Sequence, residues 1–142
     1  MIVKITLKIG KNLNILIMTQ EQVKQLAELQ NIFEERCSEV TNILGKMDKY
    51  YNSGFRCCDT FRIDGGCVCC EGDEYWGYGG HEHYVEYFDT ELLSMTNEEI
   101  EEYVEEKIQI KLTEIKAKEE KLRKKKEAEE RKQLEELKRK YE

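Results

Sequence analysis

Residues 55 to 88 read FRCCDTFRIDGGCVCCEGDEYWGYGGHEHYVEYF, and the organisation of the chain follows from them. Two glycine pairs, Gly65-Gly66 and Gly79-Gly80, punctuate a run rich in aromatic and β-branched side chains, the pattern of strands joined by tight turns. A two-residue turn at Gly65-Gly66 pairs Ile63 with Val68 and Phe61 with Cys70. A similar turn at Gly79-Gly80 pairs Trp76 with His83. Side chains alternate across a strand, so these registers place Phe61, Ile63, Val68, Cys70, Trp76, Val85 and Tyr87 on one face. The stretch is therefore predicted to be a three-stranded antiparallel meander. Its weak place is 71–74, where Gly72 and Asp73 are expected to bulge or break the middle strand.

Upstream, Val3, Ile5, Leu7 and Ile9 alternate with Lys4, Thr6 and Lys8, the period of a half-buried strand. Gly10-Lys11-Asn12 signals a turn and 13–18 is a second apolar run, so 2–18 is expected to form a β-hairpin. Thr19-x-x-Gln22 has the form of a capping box opening a helix. From there Val23, Leu26, Phe33, Cys37, Val40, Leu44 and Met47 step by three and four, broken only at Gln30. One seam along roughly 28 residues, about 42 Å, results. Leu29, Ile32 and Ile43 widen it, and Asn52-Ser53-Gly54 ends a helix expected over 19–51.

Downstream, a short helical turn is expected at Glu91-Leu92-Leu93. Thr96-Asn97-Glu98-Glu99 is a second capping box, and no glycine or proline follows it. A single helix over 97–142 would approach 70 Å at about 1.5 Å per residue. Ile100, Tyr103, Val104, Ile108, Leu112 and Ile115 stripe its first part. Beyond Leu122 the pattern becomes Lys, Arg and Glu until Leu134, Leu137 and Tyr141. Pairs such as Glu120 with Lys124 and Glu127 with Arg131 support it at roughly 0.2–0.5 kcal/mol each. The reading is thus α+β: an N-terminal hairpin and long helix, a central meander, and a long charged C-terminal helix. Residues 1–96 make the α+β domain and 97–142 a helical or coiled-coil arm. Self-association is expected through Val23, Leu26, Phe33, Val40 and Leu44, or through 100–115.

Charge is segregated. The chain of 142 residues carries a net −7, but 1–62 sums to +2, 63–106 to −14 with no basic residue, and 107–142 to +5. No run of 18 apolar residues exists, so no membrane-spanning helix is expected. The first residues lack the layout of a signal peptide, which points to the cytosol.

Six cysteines in a cytosolic chain suggest free thiols or metal ligands rather than disulfides. Cys57, Cys58, Cys67, Cys69, Cys70, His81 and His83 cluster in the sequence, and zinc takes thiolate and imidazole ligands. Against zinc, the Cys-x-x-Cys spacing is missing. The expected register also puts Cys57 and Cys70 on one face and Cys58, Cys67 and Cys69 on the other. The competing reading makes the cysteines small buried hydrophobes. His81-Glu82-His83 puts two imidazoles on one strand face, where a metal would need a third ligand that the sequence does not single out. No phosphate-cradling glycine loop and no nucleophile elbow is present, so no enzyme is expected. No cofactor is expected either, apart from zinc on that alternative reading.

The acidic middle is also the densest aromatic region. Glu74, Tyr75, Trp76, Tyr78, Glu82, Tyr84 and Glu86 are the candidate partner-binding residues, because aromatic side chains bury much area at low entropic cost. Trp76 and Tyr87 are expected to point inward and Tyr75 and Tyr84 outward. A surface of this charge repels nucleic-acid phosphates and suits a basic protein groove.

The opening Lys4-Ile5-Thr6-Leu7-Lys8-Ile9-Gly10, followed by Thr19-Gln20-Glu21-Gln22-Val23-Lys24-Gln25-Leu26, resembles the hairpin-then-helix module of small phage and prophage proteins. The stretches 84–88 and 91–100 with the Lys/Glu tail are similar to phage-borne accessory proteins of this size. The cysteine cluster departs from that group. The resemblance implies an accessory protein that blocks a cytosolic host factor, in the manner of anti-CRISPR and other anti-defence inhibitors; it assigns no catalytic residue. A zinc-stabilised interaction module and an oligomer that sequesters a ligand on its aromatic sheet are the alternatives.

Overall fold

A computed structural model describes residues 3–9 and 12–142, with side chains from residue 17 onward. The chain runs β1 (Val3–Ile9), β2 (Asn12–Met18), α1 (Gln20–Leu44), a 3-10 turn (Gly45–Met47) and α2 (Asp48–Tyr51). A second 3-10 turn (Phe55–Cys57) leads into β3 (Cys58–Asp64), β4 (Cys67–Trp76) and β5 (Gly80–Asp89). A third turn (Thr90–Ser94) then leads into α3 (Asn97–Tyr141). The mixed helix-and-sheet class, with its hairpin, three-stranded meander and long last helix, is the one expected. β1 and β2 pair antiparallel with Ile9 opposite Asn12. Of the turn expected at Gly10-Lys11-Asn12, Gly10 and Lys11 lie outside the described residues, as does Ile2.

Thr19 caps α1 through the full reciprocal box: its hydroxyl accepts from the Gln22 N–H at 3.2 Å, and the Gln22 side chain accepts from the Thr19 N–H at 3.0 Å. The helix is not one piece to residue 51. Gly45 passes so close to Arg56 that a Cβ there would lie 3.1 Å from the arginine's own, and the backbone tightens into the 3-10 turn at this point. Asn52, in the left-handed region at φ 52°, then ends α2. The Asp48 carboxylate accepts from the Phe55 and Arg56 N–H groups and from the Ser53 hydroxyl, fixing the turn into β3.

In the meander β4 is central. The first hairpin has the expected register, Phe61 opposite Cys70 and Ile63 opposite Val68. The second does not. Its loop is Gly77-Tyr78-Gly79, and Trp76 faces Gly80 rather than His83. The shift of three flips β5, so Val85 and Tyr87 lie on the face opposite Phe61, Val68 and Cys70, while Tyr84, Glu86 and Phe88 join the inner face. Burial decides this: the observed register sets Phe88 beside Val68, both within the core, and lets Thr90 bond the Gly66 carbonyl. Trp76 lays its indole across Gly80, where any Cβ would collide with the ring.

β4 is also unbroken at Gly72. The irregularity falls on β3 between Cys58 and Thr60. Gly72 is required because the Cys57 carbonyl presses on it, at 1.7 Å from where a Cβ would stand.

The core joins three elements. Cys37, Val40, Ile43 and Leu44 of α1 pack on Val68 and Cys70 of β4 and on Ile100 and Val104 of α3, with Phe55, Phe88 and Leu92 closing the sides. Val40, Leu44, Ile100 and Val104 are therefore not free for self-association, contrary to expectation. The first half of α1 differs: Leu26, Leu29 and Ile32 are more than half exposed. From Lys116 onward α3 is exposed throughout. Arg36 ties α1 to the start of α3, donating to the Leu93 carbonyl at 3.2 Å, to the Met95 carbonyl and to Asn97 Oδ1. Thr96 caps α3 by accepting from the Glu99 N–H, the forward half of the expected box. In the tail Glu120 meets Lys124 as expected, at 3.8 Å, while Arg123 bridges Glu120 and Glu127.

The seam of α1 thus stabilises the fold through one half only. Leu44→Ala should cost about 2–5 kcal/mol in chemical denaturation, as large-to-small changes in tight cores do. Leu26→Ala should stay within about 0.5 kcal/mol, as an exposed substitution. Equal losses at the two positions would place Leu26 in a buried contact.

Candidate functional site

The sequence-predicted residues divide between the two faces of the β4–β5 hairpin. On the inner-face side, beyond the cover of the helices, stand Glu74, Trp76, Glu82, Tyr84 and Glu86. Tyr75 lies on the outer face and Tyr78 in the loop. The expected orientations are reversed for Tyr87, about half exposed on the outer face, and Tyr84, half-buried on the inner one; Trp76 keeps the expected face but lies about half exposed beyond the helices. Tyr84 covers Gly54, whose missing side chain leaves room for the ring. Glu86 is also partly structural, accepting from the Gly54 N–H at 3.1 Å.

Glu74 and Glu82 are direct cross-strand partners. Like charges in this position repel. The Tyr84 hydroxyl sits between them, 2.9 Å from Glu82 Oε2 and 3.1 Å from Glu74 Oε2. It has one proton for two carboxylates. Glu82 first, then Glu74, holds that proton on and pushes the phenol above its ordinary range. Among the described residues no lysine, arginine or histidine pairs with Glu74, Glu82 or Glu86. At the tip Tyr78 takes φ 65° with its side chain fully exposed. A bulky residue in that region costs about 1–2 kcal/mol, and here no packing offsets it.

The outer face holds a second constellation that the sequence reading half identified. His81 and His83 both turn to Asp73, opposite His83 on β4. His81 Nε2 lies 2.7 Å and His83 Nδ1 2.9 Å from the same oxygen, Oδ1. The bonds from His83 and then His81 hold the Asp73 carboxyl below its ordinary range, and Asp73 in turn raises His83. Tyr75 stacks on His81 at 4.6 Å between ring centres. Glu71 stands 3.5 Å from His83 Nε2 and is itself held by Arg62 at 3.1 Å.

The cysteines do not join the histidines. Cys58 and Cys70 share the inner face, not opposite faces, because the irregularity after Cys58 reverses it, and Cys57 lies in the 3-10 turn before β3. Cys37, Cys58 and Cys70 belong to the core. Cys69, on the outer face, is buried where Arg62 and Tyr87 flank it, and Cys67 is half-buried. Among the described residues no three His, Cys, Asp or Glu side chains stand ready-spaced around an ion. Cys37, Cys58, Cys69 and Cys70 act as small buried hydrophobes.

A cleft of about 420 Å³ opens between the end of α1, the end of β5 and the start of α3, lined by Leu44, Met47, Phe55, Phe88 and Leu92. Its charged lining residues are Asp89 and Glu91, a poor setting for a phosphorylated ligand. No helix among the described residues is long and apolar enough to cross a membrane. No family model, curated protein or solved structure matches the chain.

Thiol chemistry should follow this burial. In the native protein Cys57 and Cys67 should react with a maleimide while the other four are protected until unfolding; mass mapping of the labelled peptides checks it. Burial, then Glu34, pushes the Cys37 thiol from 9.0 up to about 11. Because the folded state holds that proton more tightly than the unfolded chain, its contribution is complete below pH 9 and is lost as the pH rises to about 11. Denaturation midpoints should fall across that window, and less steeply in Cys37→Ala.

Proposed function

We propose that the chain is a non-enzymatic binding protein that holds a basic segment of a protein partner against the tip of the β4–β5 hairpin, on the side of Glu74, Trp76 and Glu82. The observation that carries this reading is the Glu74–Glu82 pair. Two carboxylates face each other across the strands, share one tyrosine proton and meet no cation among the described residues. The one tyrosine proton answers only part of the charge. A guanidinium or ammonium group entering there would relieve the repulsion and could rest on the exposed Trp76 ring. Tyr78 supports the same reading, since its backbone conformation favours glycine and its ring touches solvent alone.

The whole of 63–106 lacks a basic residue, which steers encounter with a basic surface and disfavours nucleic acid. The resemblance to small phage-borne accessory proteins favours a host protein as the partner and makes inhibition of a cytosolic defence factor the proposed role. The exposed stretches of α1 and α3 leave room for self-association as a secondary property.

Two variants separate binding from folding. Glu82→Gln removes the repulsion, so stability should rise by a few tenths of a kcal/mol, the lower end of cross-strand pair energies of about 0.2–1 kcal/mol. Tyr78→Gly should leave stability unchanged or higher. Each should weaken capture of Lys/Arg-rich peptides from a defined array, with the double charge reversal Glu74→Lys, Glu82→Lys abolishing it. Wild-type capture should fall with added salt. Equal peptide binding by wild type and double reversal would overturn the assignment.

A further inference from the structure

We propose that His81 Nε2, His83 Nδ1 and the Asp73 carboxylate form a three-donor site for a first-row divalent transition-metal ion on the outer face of the β4–β5 hairpin. The sequence offers the His-x-His pair, and the strand pairing supplies the third donor. Asp73 is the cross-strand partner of His83, and His81 lies two residues along on the same face. Both imidazoles already aim a nitrogen at one point, Asp73 Oδ1, from 2.7 and 2.9 Å.

The two imidazole-to-carboxylate separations are close to what an ion requires. Zinc bonds nitrogen and carboxylate oxygen at about 2.0–2.2 Å, so tetrahedral donors stand about 3.3–3.5 Å apart. As placed, both imidazoles stand in direct hydrogen bonds to Asp73, and the three donors are not spaced around an ion. All three side chains lie on the exposed face, between 39% and 47% accessible, and a widening of about half an ångström needs only small side-chain rotations. The ion takes the place of the shared protons.

The surroundings match a ligand set rather than a pair of stray histidines. A metal-bound imidazole ordinarily donates its other N–H to a carboxylate that fixes its tautomer. Glu71 stands 3.5 Å from Nε2 of His83, the nitrogen left over once Nδ1 binds, and Arg62 holds Glu71 in place. Tyr75 stacks on His81 and restrains its ring. The fourth position opens to solvent. Two imidazoles and one carboxylate suit zinc, cobalt, nickel or iron over calcium or magnesium, which prefer all-oxygen shells.

The site is independent of partner capture, since it occupies the other face of the hairpin. The test is calorimetric titration of chelator-stripped full-length protein with zinc, repeated with cobalt for its spectrum. One ion per chain is expected, with cobalt ligand-field bands and no thiolate charge-transfer band. Asp73→Asn and His83→Gln should each remove saturable binding. Glu71→Gln should weaken it about 10- to 100-fold, as loss of an outer-shell carboxylate does. The proposal is overturned by a thiolate band, which would move the ion to the cysteines, by affinity unchanged in Asp73→Asn, which would mark an adventitious ion only, or by no uptake. Circular dichroism of these exposed-site variants keeps loss of binding distinct from loss of fold.

Discussion

Everything in this molecule hangs on the contact of one half-helix with one half-sheet. The C-terminal half of α1 lies on the inner face of the meander at Val68 and Cys70, and the first turns of α3 close over it with Ile100 and Val104. Small side chains make this approach close. Cys37, Val40, Val68 and Cys70 are entirely buried, and Gly72 lets the backbone of the preceding turn rest directly on β4. Dense packing of this kind contributes through many weak contacts and tolerates few voids. The polar fixings are arranged around it. Arg36 spends its donors on the carbonyls before α3, and Asp48 gathers the N–H groups before β3. Both bind the ends of connecting segments that would otherwise leave backbone groups unpaired.

Local signals in the sequence carried as far as local forces decide. The capping box at Thr19, the stop at Asn52 and the Gly65-Gly66 turn were all legible because each is set by residues within a few positions. The second hairpin was not. Gly77, Gly79 and Gly80 allow more than one loop, and only the distant burial of Phe88 beside Val68 selects among them. The same holds for α1. Its periodic seam is continuous in sequence, yet only from Phe33 onward does it pack on the core. Periodicity states which residues share a face, not whether that face is covered.

The candidate sites suffered from the same error. With β5 displaced by three residues, Asp73 does not face His83, and the His-x-His pair has no third partner. The true register brings Asp73 to His83 and Glu74 to Glu82. The signal was present in the acidic residues of β4, but its meaning depended on a long-range contact. Conversely, the cysteines drew attention by their number, while their burial gives them an ordinary packing role.

An acidic hairpin without lysine or arginine must settle its charge in some other way, and its two faces do so differently. On the outer face each carboxylate has found a donor of the chain itself: Arg62 for Glu71, two imidazoles for Asp73. On that face the groups converge on one another. On the other face Glu74 and Glu82 share one phenolic proton, and repulsion remains. Setting them opposite each other, beside an exposed indole and below a tyrosine held at positive φ, concentrates unfavourable local terms at one end of the sheet. Such terms are tolerated where something outside the fold compensates them. The separation of the two faces also means that a cation bound on one leaves the carboxylates of the other free to engage a partner.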